Sequence, residues 1–260
     1  MGFLFGFNSE ASTPVPTPPQ SIPDFPTQTV WDAFVTSRGG SAPGAGDSRY
    51  WDRPTYPTVF DSTETSVATF NSAIASASPG EVIAIQNGTY SGKITVNVSG
   101  TSANPITICA EDRAGVDMSE SEIEINGDYI YVCGFVDAWF DINGQYNLIF
   151  DNTGNGPFAS STHWTTFAGS HNRVCYTTFD AGNWQCFFIG SHSVSLYHRI
   201  DHNHFTNHTG GVSGASEIAQ IGQQNENVNS YVLVDHNYIY KHDPSPFTEG
   251  ELISNKSGSN

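Results

Sequence analysis

The residues best suited to chemistry lie within the last dozen positions of the chain. Glu249 and Glu251 are two positions apart, so in an extended strand their carboxylates lie side by side on one face. Adjacent carboxylates repel each other unless a cation lies between them, and paired carboxylate oxygens suit a hard ion such as Ca²⁺. Lys256 follows five residues after Glu251, where such a cation would favour the neutral amine, a usable base. The alternative interpretation is a solvated strand end with ordinary surface charges.

The elements that must hold these residues are predicted to be short strands. Charged residues make up 13% of the chain, whereas Gly, Ser, Thr and Asn are abundant, a composition typical of turn-rich all-β proteins. Apolar segments broken by polar turns recur at intervals of about twenty to thirty residues. The clearest of these predicted strands are residues 128–132, 145–149, 172–176, 196–200 and 231–234.

An internal repeat indicates how these strands are stacked. Residues 200–205 read IDHNHF and residues 234–239 read VDHNYI, so the two copies lie 34 residues apart. We interpret this spacing as one coil with an inserted loop, in which stacked asparagines bond from coil to coil. Before the first strands, apolar residues at three- and four-residue spacing predict an amphipathic helix over residues 63–77 that caps the open end of the stack. The predicted fold is therefore an all-β, single right-handed parallel β-helix with an N-terminal capping helix.

The chain divides into three predicted parts. Residues 1–28 combine an apolar tip with a proline-rich tract, and form an extended arm that is either a disordered tail or an anchor docking into a larger assembly or oligomer. Residues 29–62 are rich in aromatic side chains that either cover the first coil or form a subunit contact. Residues 63–260 form the β-helix domain.

Net charge, hydropathy and cysteine spacing exclude several classes of partner and predict the state of the thiols. The formal net charge of −17 argues against a nucleic-acid partner, because phosphate binding needs clustered Lys and Arg. No segment is long enough to span a membrane, and the apolar tip is too short for a signal-peptide core. The cysteines include no close pair and lie in strand-like segments, so we predict buried free thiols rather than disulfides: Cys109, Cys133, Cys175 and Cys186.

One stretch of the sequence points to a known family. Residues 249–257 read EGELISNKS, which resembles the signature of polysaccharide lyase family six, the group of chondroitinase B and the alginate lyases. The resemblance extends from about Thr63 to the end of the chain. It includes PGEVIAIQNGTY at 79–90, SGTSANPITI at 99–108 and VDHNY at 234–238. The earlier stretches are common to right-handed β-helix proteins and indicate the fold, whereas the final segment points to one chemistry.

The resemblance implies β-elimination on a uronate-containing polysaccharide, such as alginate or a glycosaminoglycan. Such lyases remove the proton next to the uronate carboxylate and expel the sugar at the four-position. Carried over to this chain, Lys256 would be the base, and Glu249 and Glu251 would hold a Ca²⁺ ion that neutralises the carboxylate. An asparagine completes the metal site in the family. Asn207 is the nearest upstream asparagine here, since residues 214–216 (GAS), just before the matching EIAQIG segment at 217–222, contain none.

A second departure from the family concerns an arginine. The family's catalytic arginine lies on the coil after the lysine, whereas this chain ends four residues past Lys256. We therefore expect either the front part of a longer polypeptide or a protein that keeps the scaffold without that arginine.

Other interpretations remain open at this point. A tail-spike-like or virion-surface module that binds glycans without cleaving them would also use a β-helix, and either function places the protein outside the cell or on a virion surface. His202 and His204, at alternate strand positions, are candidate zinc ligands, although histidines in ladders or turns are the better explanation. Trp139, Phe140 and Trp164 are either sugar-stacking platforms or, as we favour, core residues.

Overall fold

A computed structural model describes most of the predicted β-helix domain and a short segment before it. The described residues are 52–155, 164–180, 186–189, 196–206, 219–221, 230–240 and 253–255. The predicted arm at 1–28 and the part of the aromatic-rich segment before Asp52 lie outside these ranges. Within them, none of the helical structure has the length and apolarity that a bilayer crossing requires.

The described residues form one helix and a series of short strands. In chain order they are β1 (Ser62–Glu64), α1 (Val67–Ala75), β2 (Val82–Ile85), β3 (Gly88–Thr89), β4 (Ile94–Val96), β5 (Ile106–Ala110), β6 (Val116–Ile125), β7 (Ile130–Cys133), β8 (Phe135–Ile142), β9 (Leu148–Phe150), β10 (Thr153–Asn155), β11 (Thr165–Phe167), β12 (Arg173–Cys175), β13 (Thr178–Asp180), β14 (Phe187–Ile189), β15 (Leu196–Asp201), β16 (His204–Thr206), β17 (Ala219–Ile221), β18 (Ser230–Asp235), β19 (Tyr238–Tyr240) and β20 (Ile253–Asn255).

All pairings between these strands are parallel and form three faces. Face 1 is the sheet β1-β2-β5-β7-β9-β12-β15-β18. The long strands β6 and β8 each contribute to both other faces. Face 2 contains β3, the first parts of β6 and β8, and then β10, β13, β16 and β19. Face 3 contains β4, the second parts of β6 and β8, and then β11, β14, β17 and β20. This is the predicted right-handed parallel β-helix.

The core is a column of apolar side chains stacked in register inside the coils. On face 1 each coil contributes one β-branched residue to this column, and burial of these side chains is the main stabilising term. Those that are fully or almost fully buried are Ile83, Ile108, Val132, Ile149, Val174 and Ile200. Strand alternation then directs the residues on either side of each toward the outer surface.

From β7 onward, each coil turns the corner after face 1 in the same way. The residue directly after β7, β9, β12, β15 and β18 has φ between 52° and 87°, the left-handed conformation that makes a sharp bend. After β9, β15 and β18 the next residue is an asparagine whose side chain bonds to the preceding coil, so asparagines link coil to coil as the repeat predicts. The backbone N–H of Asn203 donates to Oδ1 of Asn237 at 2.9 Å, and Nδ2 of Asn203 donates to the carbonyl of Val174 at 3.0 Å. Buried corner groups are thus satisfied without water.

The capping helix is shorter than the sequence pattern predicts. Thr63 and Glu64 belong to strand β1, and the helix begins only at Val67. Ser66 is the reason, because its backbone is extended and its side chain accepts a bond from the Thr69 N–H at 3.2 Å, an N-cap. Phe70 and Ile74 are completely buried against the first coils. The cap itself is confirmed, and its predicted first turn is wrong.

Residues 52–61, which we call the N-terminal strap, lie along the outside of face 1. Asp61 and Val82 exchange two bonds of 2.8 Å at the first coil. Tyr56 donates its hydroxyl to the carbonyl of Ala110 at 2.7 Å. At the far end, Nη1 of Arg173 donates to the carbonyl of Asp52 at 2.6 Å. The aromatic-rich segment therefore covers coils of its own chain, and it extends beyond the first one.

Candidate active site on the last coil

The predicted catalytic segment surrounds strand β20 on face 3. This strand pairs in register with β17, with Ser254 opposite Gln220. Glu249, Glu251, Lys256 and Asn207 all lie outside the described residues, so the expected calcium site and base remain predictions. The structure describes the strand that connects Glu251 to Lys256 in the chain. This strand, β20, is extended and pairs with β17 at the end of face 3.

The register of face 3 assigns each position of β20 to a side of the coil. Ile253 continues the column of Phe140 and Phe187, whose side chains are buried in the core. Ser254 continues the column of Asp141 and Thr166, which are half-buried on the outer side. The outer surface of face 3 therefore leads along the coils to the predicted catalytic segment.

An acidic cluster lies at the other end of this outer surface. Carboxylate oxygens of Glu122, Glu124 and Asp141 lie within 4.8 Å of one another, the one grouping of potential metal ligands found in the described ranges. Lys93 already pairs with two of them, at 3.0 Å from Glu122 and 3.2 Å from Glu124. The hydrogen bond to Glu122 is the main cause of a raised pKa of the Lys93 ammonium group. Sequence reasoning missed this cluster, whose signal is the alternation of Glu122 and Glu124 in one strand.

The aromatic residues considered as sugar platforms belong mainly to the core. Phe140 and Trp164 are 2% and 3% exposed, and Trp164 packs edge-on against Phe179 with ring centroids 5.8 Å apart. Trp139 is half-buried and packs against the same core. The predicted preference for core packing is confirmed for Phe140 and Trp164, so neither ring is available to stack on a sugar.

Within the described coils, histidines of successive coils stack on one another in a ladder. Strand β15 ends at Asp201, and His202 is the left-handed corner residue with φ of 55°. The prediction that His202 and His204 share a strand face is therefore wrong, because a corner separates them. His202 stacks parallel on His236, with ring centroids 4.9 Å apart, and its Nδ1 lies 2.7 Å from the Asp201 carboxylate.

A buried charge network lies on the outer side of face 1 and was not predicted from the sequence. Arg173 donates from Nε and Nη2 to both oxygens of Asp201 at 2.7 and 2.6 Å. Arg199 makes the same two-bond contact with Asp235 at 3.0 and 2.8 Å. All four side chains are at most 6% exposed. The signal was present as Arg199-Ile200-Asp201, since alternate strand positions share a face and the 34-residue repeat aligns Asp201 with Asp235.

This network shifts the ionisation of its own members. Burial opposes ionisation of the Asp235 carboxyl, but the hydrogen bonds and charge of Arg199 outweigh burial and hold its pKa below the usual range. The network stabilises the late coils that lead to the predicted catalytic segment. It lies on face 1, away from the outer side of face 3.

The four cysteines are all buried free thiols, as predicted. Cys109 and Cys133 are register partners on face 1, and Cys175 lies in the same outer column beneath the N-terminal strap. Burial raises the pKa of the Cys186 thiol to about 12. Nucleophilic cysteines need a depressed pKa, whereas burial raises the pKa of the Cys133 and Cys175 thiols as well, so these thiols are packing residues.

Comparison with solved structures shows the same fold in lyases. The PL6 family alginate lyase AlyGC has a TM-score of 0.64 and 21% identity, over 75% of this chain and 30% of AlyGC. The PL6 family polysaccharide lyase Pedsa3628 from Pseudopedobacter saltans has a TM-score of 0.66 and 22% identity, over 75% of this chain and 50% of that protein. A mannuronic acid specific family 6 lyase from human gut microbiota has a TM-score of 0.64 and 20% identity, over 75% and 52%. The chain thus spans roughly a third to a half of these proteins.

A family profile matches the β-helix domain as a whole. None of the curated proteins matches the chain. The profile of Chondroitinase B, by contrast, matches residues 64–260, which begins at the last residue of β1 and includes the capping helix, all later strands and the EGELISNKS segment. The resemblance noted on that segment is confirmed: this chain belongs to the chondroitinase B family of polysaccharide lyases.

Proposed function

We propose that this protein cleaves a uronate-containing polysaccharide, alginate or a glycosaminoglycan, by β-elimination on the outer side of face 3. The observation that carries the proposal is the family match across the whole described β-helix, which includes the one segment specific to this chemistry. A PL6 alginate lyase solved in complex with a trisaccharide supports a saccharide partner. We also propose that the activity lies outside the cell or on a virion surface, where such polymers are met.

Lys256 is the proposed base. Ser254 has the outer register position, and we propose that Lys256, two positions later in the chain, acts on the same side, beside a polymer lying on face 3. Its amine takes the proton next to the uronate carboxylate while the bond to the sugar at the four-position breaks. The chain has a net charge of −17 and few basic side chains that could bind a polyanion. Local positive charge near Lys256 therefore decides where the polymer binds.

Glu249 and Glu251 are the proposed ligands of Ca²⁺, with Asn207 as the candidate third. A bound calcium ion supplies positive charge that neutralises the uronate carboxylate and so stabilises the developing carbanion.

The test is lyase activity on three polymers. The full chain is incubated with alginate, dermatan and pectate while the absorbance of the unsaturated product is followed. We expect product from alginate or dermatan, loss of activity in Lys256→Ala, and loss on calcium chelation that added Ca²⁺ reverses. Lys93→Ala is the matched control, because it removes a lysine from the same face at its opposite end. No product from any polymer by the folded protein would refute the lyase proposal, and retained binding in polysaccharide gels would then favour the glycan-binding alternative.

A further inference from the structure

A cavity of about 540 Å³ opens on the outer side of face 1. One wall is the N-terminal strap between Tyr56 and Phe60, and the other is the turn directly after β5, at residues 111–113. The volume lies within the range of roughly 300–1,000 Å³ that small-molecule sites occupy in proteins. Since the proposed β-elimination site is on face 3, this cavity belongs to a different side of the β-helix.

Both walls of the cavity are fixed by hydrogen bonds. On the strap, the Tyr56 hydroxyl donates to the carbonyl of Ala110 at 2.7 Å. It fits there because its neighbour is Gly134, where a Cβ atom would lie 2.1 Å from the hydroxyl oxygen. In the turn, Oδ2 of Asp112 accepts a bond of 2.7 Å from Nδ2 of Asn87, and Oδ1 of Asn87 accepts one of 3.2 Å from the Asp112 N–H. The cavity is therefore preformed, and a ligand that enters it has little of the protein to order.

The polar groups of the turn keep bonding capacity for a ligand. Glu111 lines the cavity, and among the described residues none donates a hydrogen bond to its carboxylate. Arg113 lies 5.1 Å from the centre of the Tyr56 ring and pairs through Nη2 with Asp151 at 3.2 Å. A guanidinium group has five N–H donors, and the Arg113 side chain is 54% exposed. These contacts orient the guanidinium group and leave most of its donors for a ligand.

The strap adds an aromatic surface to these polar groups. Phe60 is half-buried, because it packs on the outer apolar cluster of face 1 and also lines the cavity. An aromatic ring beside a carboxylate and a guanidinium group matches the two sides of a sugar ring. The C–H face of the sugar packs on the aromatic ring, and its hydroxyl groups donate to the carboxylate and accept from the guanidinium group.

The charges around the cavity select a neutral sugar. Glu111 and Asp112 line it, and Asp151 already compensates the charge of Arg113. A uronate would bring a further negative charge next to these carboxylates, which is unfavourable. A cationic ligand would meet the Arg113 guanidinium group, which already lies over the Tyr56 ring.

We propose that this cavity is a binding site for a neutral sugar residue, with Phe60 as the stacking surface and Glu111 and Arg113 as hydrogen-bonding partners of the hydroxyl groups. Its strap wall precedes residue 64, where the family match begins. Binding at this site does not depend on the β-elimination proposed for face 3.

Isothermal titration calorimetry on the full chain tests the proposal. The protein carries Lys256→Ala, so that cleavage contributes no heat, and it is titrated with the neutral trisaccharides cellotriose, mannotriose and galactotriose and with trimannuronate as the charged probe. We expect at least one neutral trisaccharide to bind. Phe60→Ala should weaken that binding about tenfold by removing the stacking surface, and should leave any binding of trimannuronate unchanged.

A second variant removes a polar contact without disturbing the packing of the strap. Glu111→Gln should weaken neutral-sugar binding about fivefold, because a carboxylate is a stronger acceptor than an amide. Glu120→Gln is the matched control, since Glu120 is an exposed carboxylate on β6 outside the cavity lining, and it should leave the binding unchanged.

Three results would overturn the proposal. They are no binding of any neutral trisaccharide, neutral-sugar binding that neither Phe60→Ala nor Glu111→Gln weakens, and loss of trimannuronate binding in Phe60→Ala. The lyase assay separates this proposal from the proposed function, because Phe60→Ala and Glu111→Gln in the parent chain should leave product formation unchanged.

Discussion

Removal of one charge from the face 1 network should be far more damaging than removal of a surface charge. Asp201 is completely buried and accepts two bonds from Arg173, and it also lies 3.4 Å from Nε of Arg199. Asp201→Asn keeps the shape but leaves two buried guanidinium groups with one carboxylate, Asp235. Breaking a buried pair in this way costs about 3–5 kcal/mol of unfolding free energy. Urea denaturation followed by circular dichroism measures this loss through the transition midpoint and slope.

Two further variants test whether charge compensation holds the network together. Glu122→Gln removes one carboxylate from the more exposed Lys93 pair, and should cost less than about 1 kcal/mol. The double variant Arg173→Met/Asp201→Leu removes both charges of one pair and leaves Arg199 with Asp235, so it should recover most of the loss. If Asp201→Asn is no worse than Glu122→Gln, or if the double variant is as unstable as the single one, the network is not held together by charge compensation.

Four more outcomes follow from the same contacts. Because the folded pKa of Asp235 is depressed, its contribution is present above the unfolded value of about 3.9 and is lost as pH falls through the folded pKa, so Asp235→Asn should flatten the loss of stability measured by denaturation below about pH 4. Asn172→Ala removes the acceptor of the Asn147 N–H and the donor to Gly144, and should cost about 3 kcal/mol in the same assay; a loss near zero would contradict the ladder. Glu251→Gln should reduce lyase activity by removing a proposed calcium ligand, whereas Gly258→Ala should leave the activity unchanged. An aromatic disulfide reagent at pH 8 should label none of the four buried cysteines in the native protein and all of them after unfolding: Cys109, Cys133, Cys175 and Cys186. Rapid labelling of the native protein would refute their burial.

The sequence predicts the periodic parts of this fold well. All five of the clearest predicted strands exist, and the 34-residue repeat gives the observed register, with Ile200 opposite Val234 and Asp201 opposite Asp235. The reason is that a solenoid repeats one local rule. An apolar residue points inward, a left-handed residue turns the corner, and an asparagine side chain pairs with backbone groups of the preceding coil. Each rule involves neighbours in sequence, so a linear pattern carries it.

The exact ends of helices and strands were harder to predict from the sequence than the periodic pattern. The apolar spacing around residues 63–77 continues past the true start of the helix, because Thr63 and Glu64 pair with β2 as a strand. A ladder of hydrogen bonds with the next coil outweighs a weak helical preference there. His202 and His204 likewise looked like alternate positions of one strand, until the left-handed backbone at His202 placed a corner between them.

What the sequence by itself determined is the family and the coil architecture, because these depend on short motifs and on a repeat; the same motifs nominate the catalytic residues, which remain predictions. Only the tertiary structure decided which outward residues meet. Arg173 reaches Asp201 across 28 positions and Arg199 reaches Asp235 across 36, and the N-terminal strap returns over coils that lie more than a hundred residues away in the chain. These contacts depend on loop lengths between coils and on the path of the strap. No local pattern specifies either, because both result from the packing of the complete stack.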